Sequence, residues 1–261
     1  MTHARQSELE RLTDLRRVYE RLLPFALEPG IAWPPKAVSR EATVLFSDLR
    51  GFSALGEAYA DDPASLLELV NTHLSAVARA VLRCGAIVEK FVGDGVFATF
   101  GAHGDLPDHY ERGLAAALAV VGANEAMNRR HAAEWGFRLD VGVGLASGKV
   151  VTGLVGVGER SELAVLGDPV NIAARLVAQA RSGEILLTAS TYRHVAGKVR
   201  GELLGLTPVR GRSGEVEIYR LLVIPPRVVT PPAPAAPRRI AGSSAAPKGQ
   251  AAHKRRTAPA A

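Results

Sequence analysis

Two apolar runs, Ile87 to Val92 and Val96 to Phe100, close on Gly93-Asp94-Gly95. No other segment constrains the fold as much, because strand-like runs meeting on Asp-Gly read as a β-hairpin. Upstream, Asp62-Pro63 is an N-cap followed by proline at the first helical position. Leu67, Val70, Leu74, Val77 and Val81 then mark one apolar helix face, and Gly85 ends it. Before that helix, Thr43-Val44-Leu45-Phe46 reads as a buried strand. Downstream, an Ala-rich helical pattern over 110–134 precedes Leu139, Val141, Val143 and Leu145, which alternate as a half-buried strand. Val150-Val151 continues extended structure, and Asp168-Pro169 repeats the cap-plus-proline signal. Ile185 to Leu187 and Val216 to Tyr219 look like later strands. The expected fold class is α+β, a ferredoxin-like βαββαβ sandwich with additional strands.

Charge separates a body from a tail. The 261 residues carry 32 Lys+Arg against 26 Asp+Glu, a formal net charge of +6. Residues 225–261 hold seven of the basic residues, no acidic one and eight of the sixteen prolines. Taking them away leaves a body of net charge −1, which argues against a basic nucleic-acid-binding fold. The Pro/Ala-rich tail buries too little apolar surface to offset its ordering entropy and is expected to be disordered. Residues 1–40 begin with a helical pattern, Leu12, Leu15, Tyr19, Leu22 and Ala26, spaced like a coiled-coil seam or one amphipathic helix. Pro34-Pro35 breaks it, so residues 1–40 form a helical segment and linker, and 41–224 the main domain. Cys84 is the only cysteine, which excludes an intramolecular disulfide and a cysteine-based zinc cluster. The polar Met1 to Glu10 and the lack of ~18 continuous apolar residues lead to the expectation of a cytoplasmic protein without a membrane span.

Four side chains could carry chemistry. Asp48 lies in Phe46-Ser47-Asp48-Leu49-Arg50-Gly51-Phe52-Ser53, at the end of the first strand. A carboxylate there can hold a hard cation while the following backbone N–H groups meet phosphate oxygens; alternatively it is an ordinary turn aspartate. Asp94 tips the hairpin, where Asp-Gly also occurs for conformational reasons alone. If the first strand lies beside the hairpin, the two carboxylates meet, which suits Mg²⁺ or Mn²⁺ on a polyphosphate. Asn171 and Arg175 are four apart on one helix face. They can orient a sugar and stabilise charge on phosphate, or form a solvated stripe. His73 falls within a helix near apolar positions and reads as a packed or surface histidine.

Taken together, Phe46 to Leu55, Val88 to Gly101, Val141 to Gly156 and Leu166 to Leu176 resemble the catalytic domain of class III nucleotide cyclases over residues 41–221. The resemblance implies a head-to-tail homodimer with active sites at the interface, acting in intracellular signalling. It implies two divalent metal ions, Mg²⁺ or Mn²⁺, held by Asp48, Asp94 and the backbone at Leu49 of one protomer. Gly51 and Phe52 would meet the substrate's phosphates. Asn171, orienting the ribose, and Arg175, stabilising the transition state, would come from the other protomer. Lys90 matches the lysine that contacts the purine, also from the other protomer, and Arg210 stands where the family usually has a phosphate-contacting lysine. The implied reaction converts ATP to cyclic AMP and pyrophosphate. Lys90 favours adenine, but its partner position, seven before Asn171, is Ala164, which has no side-chain acceptor. The resemblance therefore leaves open guanylate or mixed specificity, and also a catalytically weak nucleotide-binding or dimerisation module. The tail's Arg238-Arg239 and Lys254-Arg255-Arg256 leave room for weak anionic contacts, with no specific nucleic acid expected.

Overall fold

A computed structural model describes residues 37–157, 160–208 and 215–222. The seam pattern of residues 1–36, Arg210 and the tail lie outside the described residues. The chain order is β1 (Val38–Arg50), α1 (Phe52–Ala58), α2 (Pro63–Arg83), β2 (Ile87–Val92), β3 (Gly95–Phe100), α3 (His109–Trp135), β4 (Asp140–Val157), β5 (Arg160–Leu166), α4 (Asp168–Gln179), β6 (Ile185–Thr188), α5 (Ala189–Val195), β7 (Gly201–Pro208) and β8 (Glu215–Leu221).

The eight strands form one sheet in the order β2-β3-β1-β4-β6-β8-β7, with β5 added to β4. Its first four strands and the helices between them make the expected βαββαβ unit, with β1 antiparallel to both β3 and β4. β6 joins parallel to β4, and β8 and β7 extend the sheet beyond it. The first strand is 13 residues long rather than the short apolar run expected. The alternating segment after α3 and Val150-Val151 are one strand of 18 residues. α1, β5, α5 and β7 were not foreseen.

One face of the sheet carries α2 and α3, whose Val77, Val81, Leu114 and Val120 bury against Leu45, Val96, Val143 and Ile185. The other carries α4, whose Ile172, Ala173 and Leu176 pack on Ala42, Val44, Phe97 and Leu186. A third, smaller cluster of Leu49, Leu69, Met127 and Leu139 closes one end beneath Phe52 and Leu55 of α1.

Asp62 caps α2 as expected, accepting from the Ser65 backbone N–H at 3.2 Å. The buried stripe of α2 is rotated from the expected one. It runs through Leu69, Val70, His73, Val77, Ala80 and Val81. Leu67 is 61% exposed and lines a shallow groove with Asn71, Ser75 and Arg79 on the opposite side. At α4 the cap is one residue earlier than expected. Gly167 takes it, its carbonyl accepting from Val170 at 3.1 Å, and Asp168 begins the first turn.

Candidate active site

The β1–β3 register places Ser47 opposite Val96, so the hairpin turn lies against the last residues of β1. There the Leu49 backbone N–H donates to Asp94 Oδ2 at 3.0 Å. The turn can come this close because residue 95 is glycine. A Cβ there would stand 2.5 Å from the Ser47 carbonyl oxygen and 3.3 Å from Asp48 Oδ1. The structure thus brings Asp48 and Asp94 together. Asp48 is not at the strand's end but within it, paired with Gly142 of β4.

Asp94 perturbs Asp48. Burial, the Asp94 charge and a hydrogen bond to Asp94 push the Asp48 carboxyl up to about 6, against the pull of Arg50. Arg50 shares a strand face with Asp48 and is ion-paired to it. Its other amino group donates to the Ala180 carbonyl at the end of α4, at 3.3 Å. Two crowded carboxylates, one of them paired with an arginine, are an anionic site that a divalent cation would neutralise. Oxygen donors of this kind suit Mg²⁺ or Mn²⁺. Among the described residues, no group of three or more His, Cys, Asp and Glu side chains could hold a metal. Such a cation therefore needs oxygens from elsewhere, such as a backbone carbonyl or a bound phosphate.

A pH test of the pair has a definite sign. A carboxyl raised to about 6 binds its proton more tightly folded than unfolded, so lowering pH from 7.5 to 5 favours the folded state. Asp94→Asn removes the repulsion and leaves an acceptor for Leu49. In EDTA its melting temperature is expected to exceed that of wild type at pH 7.5, with the gain shrinking by pH 5. A gain that does not depend on pH would contradict the carboxyl–carboxyl contact.

α4 positions the second set. It approaches β4 closely because residue 144 is glycine: a Cβ there would stand 2.4 Å from the Ala173 carbonyl oxygen and 2.5 Å from the Val177 nitrogen. With Ile172, Ala173, Leu176 and Val177 facing inward, Asn171 is left exposed and Arg175 half-buried. The far end of α4 lies level with Asp48, since a Cβ on Gly142 would meet Ala180 Cβ at 3.0 Å. At 1.5 Å rise per residue, Asn171 is about 13 Å up the helix from that level and Arg175 about 7 Å. Within one chain the two sets are therefore offset along α4.

Lys90 lies on β2, the sheet's edge strand, just after a register shift between Val88 and Lys90. Its ammonium pairs with Glu162 of β5 at 3.0 Å. Ala164, two residues along β5 and so on the same strand face as Glu162, is buried at 9% exposure. Gly51 caps α1 in the left-handed conformation at φ 75°, and Phe52 begins that helix.

His73 is packed, one of the two readings its helical position allowed. Two further participants were not expected. Arg50 was legible as the i+2 neighbour of Asp48 on a strand. Glu162 was not, because its contact with Lys90 spans 72 residues of chain.

Comparison with known proteins places these features in context. The family model of the adenylate and guanylate cyclase catalytic domain matches residues 35–223. The terminal-differentiation specific adenylate cyclase of Dictyostelium discoideum is 27% identical over 82% of this chain, and the adenylate cyclase of Anabaena cylindrica 28% over 71%. The chain spans only 10% and 37% of those relatives' lengths. Among solved structures, the adenylyl cyclase CyaB from P. aeruginosa matches with a TM-score of 0.68 at 27% identity, over 72% of this chain and 96% of that one. The guanylate cyclase domain of RhGC from Catenaria anguillulae, in complex with GTP, matches with a TM-score of 0.58 at 27% identity, over 71% and 97%.

Proposed function

The chain belongs to the adenylate and guanylate cyclase catalytic-domain family, and from that membership we propose that it is an adenylate cyclase working as a head-to-tail homodimer. The observation that carries this reading is the carboxylate pair, Asp48 and Asp94, brought together beside the Leu49 amide, with Asn171 and Arg175 on the separate helix α4. A second copy supplies the missing half. Exposed apolar side chains, Val151, Val155 and Leu166 on the β4–β5 hairpin and Phe91 and Val92 on β2, support burial of this kind.

In the proposed reaction the ribose 3′-hydroxyl of ATP loses its proton to water and its oxygen forms a bond to the α-phosphorus. The bond from that phosphorus to the bridging oxygen breaks, and pyrophosphate leaves with the electron pair. Asp48, Asp94 and the backbone at Leu49 would hold two Mg²⁺ or Mn²⁺ ions, which when bound acidify the attacking hydroxyl and offset polyphosphate charge. The amides of Gly51 and Phe52 face the phosphates. From the partner copy, Asn171 fixes the ribose and Arg175 meets the charge that grows at the α-phosphate, as does Arg210 on the leaving polyphosphate. Lys90 meets the purine edge. No side-chain nucleophile is required, and the work is positioning and electrostatics.

One observation favours a second reading on specificity. Ala164 offers a methyl group where an acceptor for the adenine amino group would be expected, and Lys90 is engaged by Glu162. Discrimination against GTP should therefore be incomplete. With Mn²⁺, purified protein is expected to turn over ATP faster than GTP by less than about a hundredfold. Specific activity should also fall on dilution as dimers separate. GTP turnover equal to or above that of ATP would make the chain a guanylate cyclase. Absence of turnover with both, alongside retained nucleotide binding, would make it a binding module.

We assign residues 41–224 to the catalytic domain, whose first strand begins before that boundary, at Val38. Among the described residues no helix is long and apolar enough to cross a membrane.

A further inference from the structure

His73 is fully buried on the inner stripe of α2, at 0% exposure, in a position that helical spacing reserves for an apolar side chain. Neither of its ring nitrogens has a protein hydrogen-bond partner. A buried polar ring of this kind costs stability unless something satisfies it. The charge that reaches the ring is the Asp94 carboxylate, while burial pushes the imidazole down to about 4 and so keeps it neutral. A second orphan lies in the same layer. Gly113 of α3 faces Thr43, so by strand alternation Thr43, Leu45, Ser47 and Leu49 all point toward α2 and α3. Ser47 is 1% exposed, and its hydroxyl also lacks a protein partner. Ser47 sits two residues before Leu49, whose amide holds Asp94.

Buried orphans that face one layer are the usual mark of an internal water, which needs two to four polar partners. We propose that His73 is a positioning residue for the Asp48–Asp94 cation site: its ring and the Ser47 hydroxyl hold an internal water against Asp94 and keep that carboxylate turned toward Asp48. This rests on the reading of Asp48 and Asp94 as cation ligands. It adds a support from inside the core, on the side of Asp94 away from solvent. Outer groups that orient a ligand commonly change metal affinity by 10–100-fold.

The test uses the full chain with Mn²⁺, first alone and then with inorganic pyrophosphate to complete its coordination. Thermal unfolding is followed in EDTA and across a Mn²⁺ titration, because a ligand that binds only the folded state raises the melting temperature. His73→Phe is expected to weaken Mn²⁺ about tenfold, while unfolding in EDTA at the wild-type temperature or higher. His73→Gln keeps a donor and an acceptor and should return the Mn²⁺ midpoint to within about threefold of wild type. A purely structural role would do the reverse, lowering the temperature in EDTA and leaving the Mn²⁺ midpoint unmoved, and that result overturns the proposal. Should His73→Phe fail to fold, Ser47→Ala takes its place, and an unchanged midpoint there overturns the proposal equally. Wild-type protein with no Mn²⁺-dependent rise, with or without pyrophosphate, would remove the cation site itself, which separates that failure from a failure of His73 alone.

Discussion

Asp48→Ala and Arg175→Ala, each purified alone, are expected to lose at least about a thousandfold in cyclase turnover, and mixing them is expected to restore about a quarter of wild-type activity. Each homodimer carries the same lesion in both of its sites. A heterodimer carries both lesions in one site and none in the other. Random exchange makes about half the dimers mixed, each with one sound site of two, which gives the quarter. The expectation rests on the proposed head-to-tail dimer, in which Asp48 and Arg175 of one copy serve different nucleotides. Mixed samples that contain heterodimers by cross-linking or native mass spectrometry, yet stay inactive, would refute the shared site.

Gly144→Ala is expected to cost about 3 kcal/mol or more, since a single methyl would overlap the backbone of α4 at Ala173 and Val177. For a domain of this size the melting temperature should fall by roughly 10 °C. The helix cannot yield locally, because Ile172, Ala173 and Leu176 seat it in the core on that face. Any relief moves Asn171 and Arg175 with it, so turnover should fall further than the folded fraction does. Gly122→Ala is the control. It is an exposed interior position of α3 where an added Cβ meets nothing within 4 Å. That change should be neutral or stabilising by up to about 1 kcal/mol. Equal melting temperatures for the two variants would show that α4 does not depend on close approach at residue 144.

The βαββαβ core was legible because its signals are local. An Asp-Gly turn, an Asp-Pro helix start and alternation along a strand each read within ten residues, and the hairpin turn pointed to Asp94. The pairing with Asp48 required only that β1 lie beside the hairpin. The added elements were hidden for a physical reason. β7, Gly-Glu-Leu-Leu-Gly-Leu-Thr-Pro, has a register shift between Leu203 and Gly205 and exposes Leu203, Leu204 and Leu206, so its pattern lacks alternation. β5 exists by pairing with the far half of β4. On α2 the expected stripe differs from the buried one at Leu67, which is exposed, and at Leu69 and His73, which are buried beside it, while Leu74 packs against the core as expected. The contact of Lys90 with Glu162 depends on how β2 and the β4–β5 hairpin are brought together, which no local pattern encodes.

Leu49 has a double attachment whose consequence is mechanical. Its amide grips the Asp94 carboxylate, and its side chain, 3% exposed, is clamped with Leu69, Met127 and Leu139. A turn that would otherwise sway with solvent is thereby bolted through one peptide unit to the interior. The carboxylates inherit the stiffness of that packing rather than the compliance of a loop.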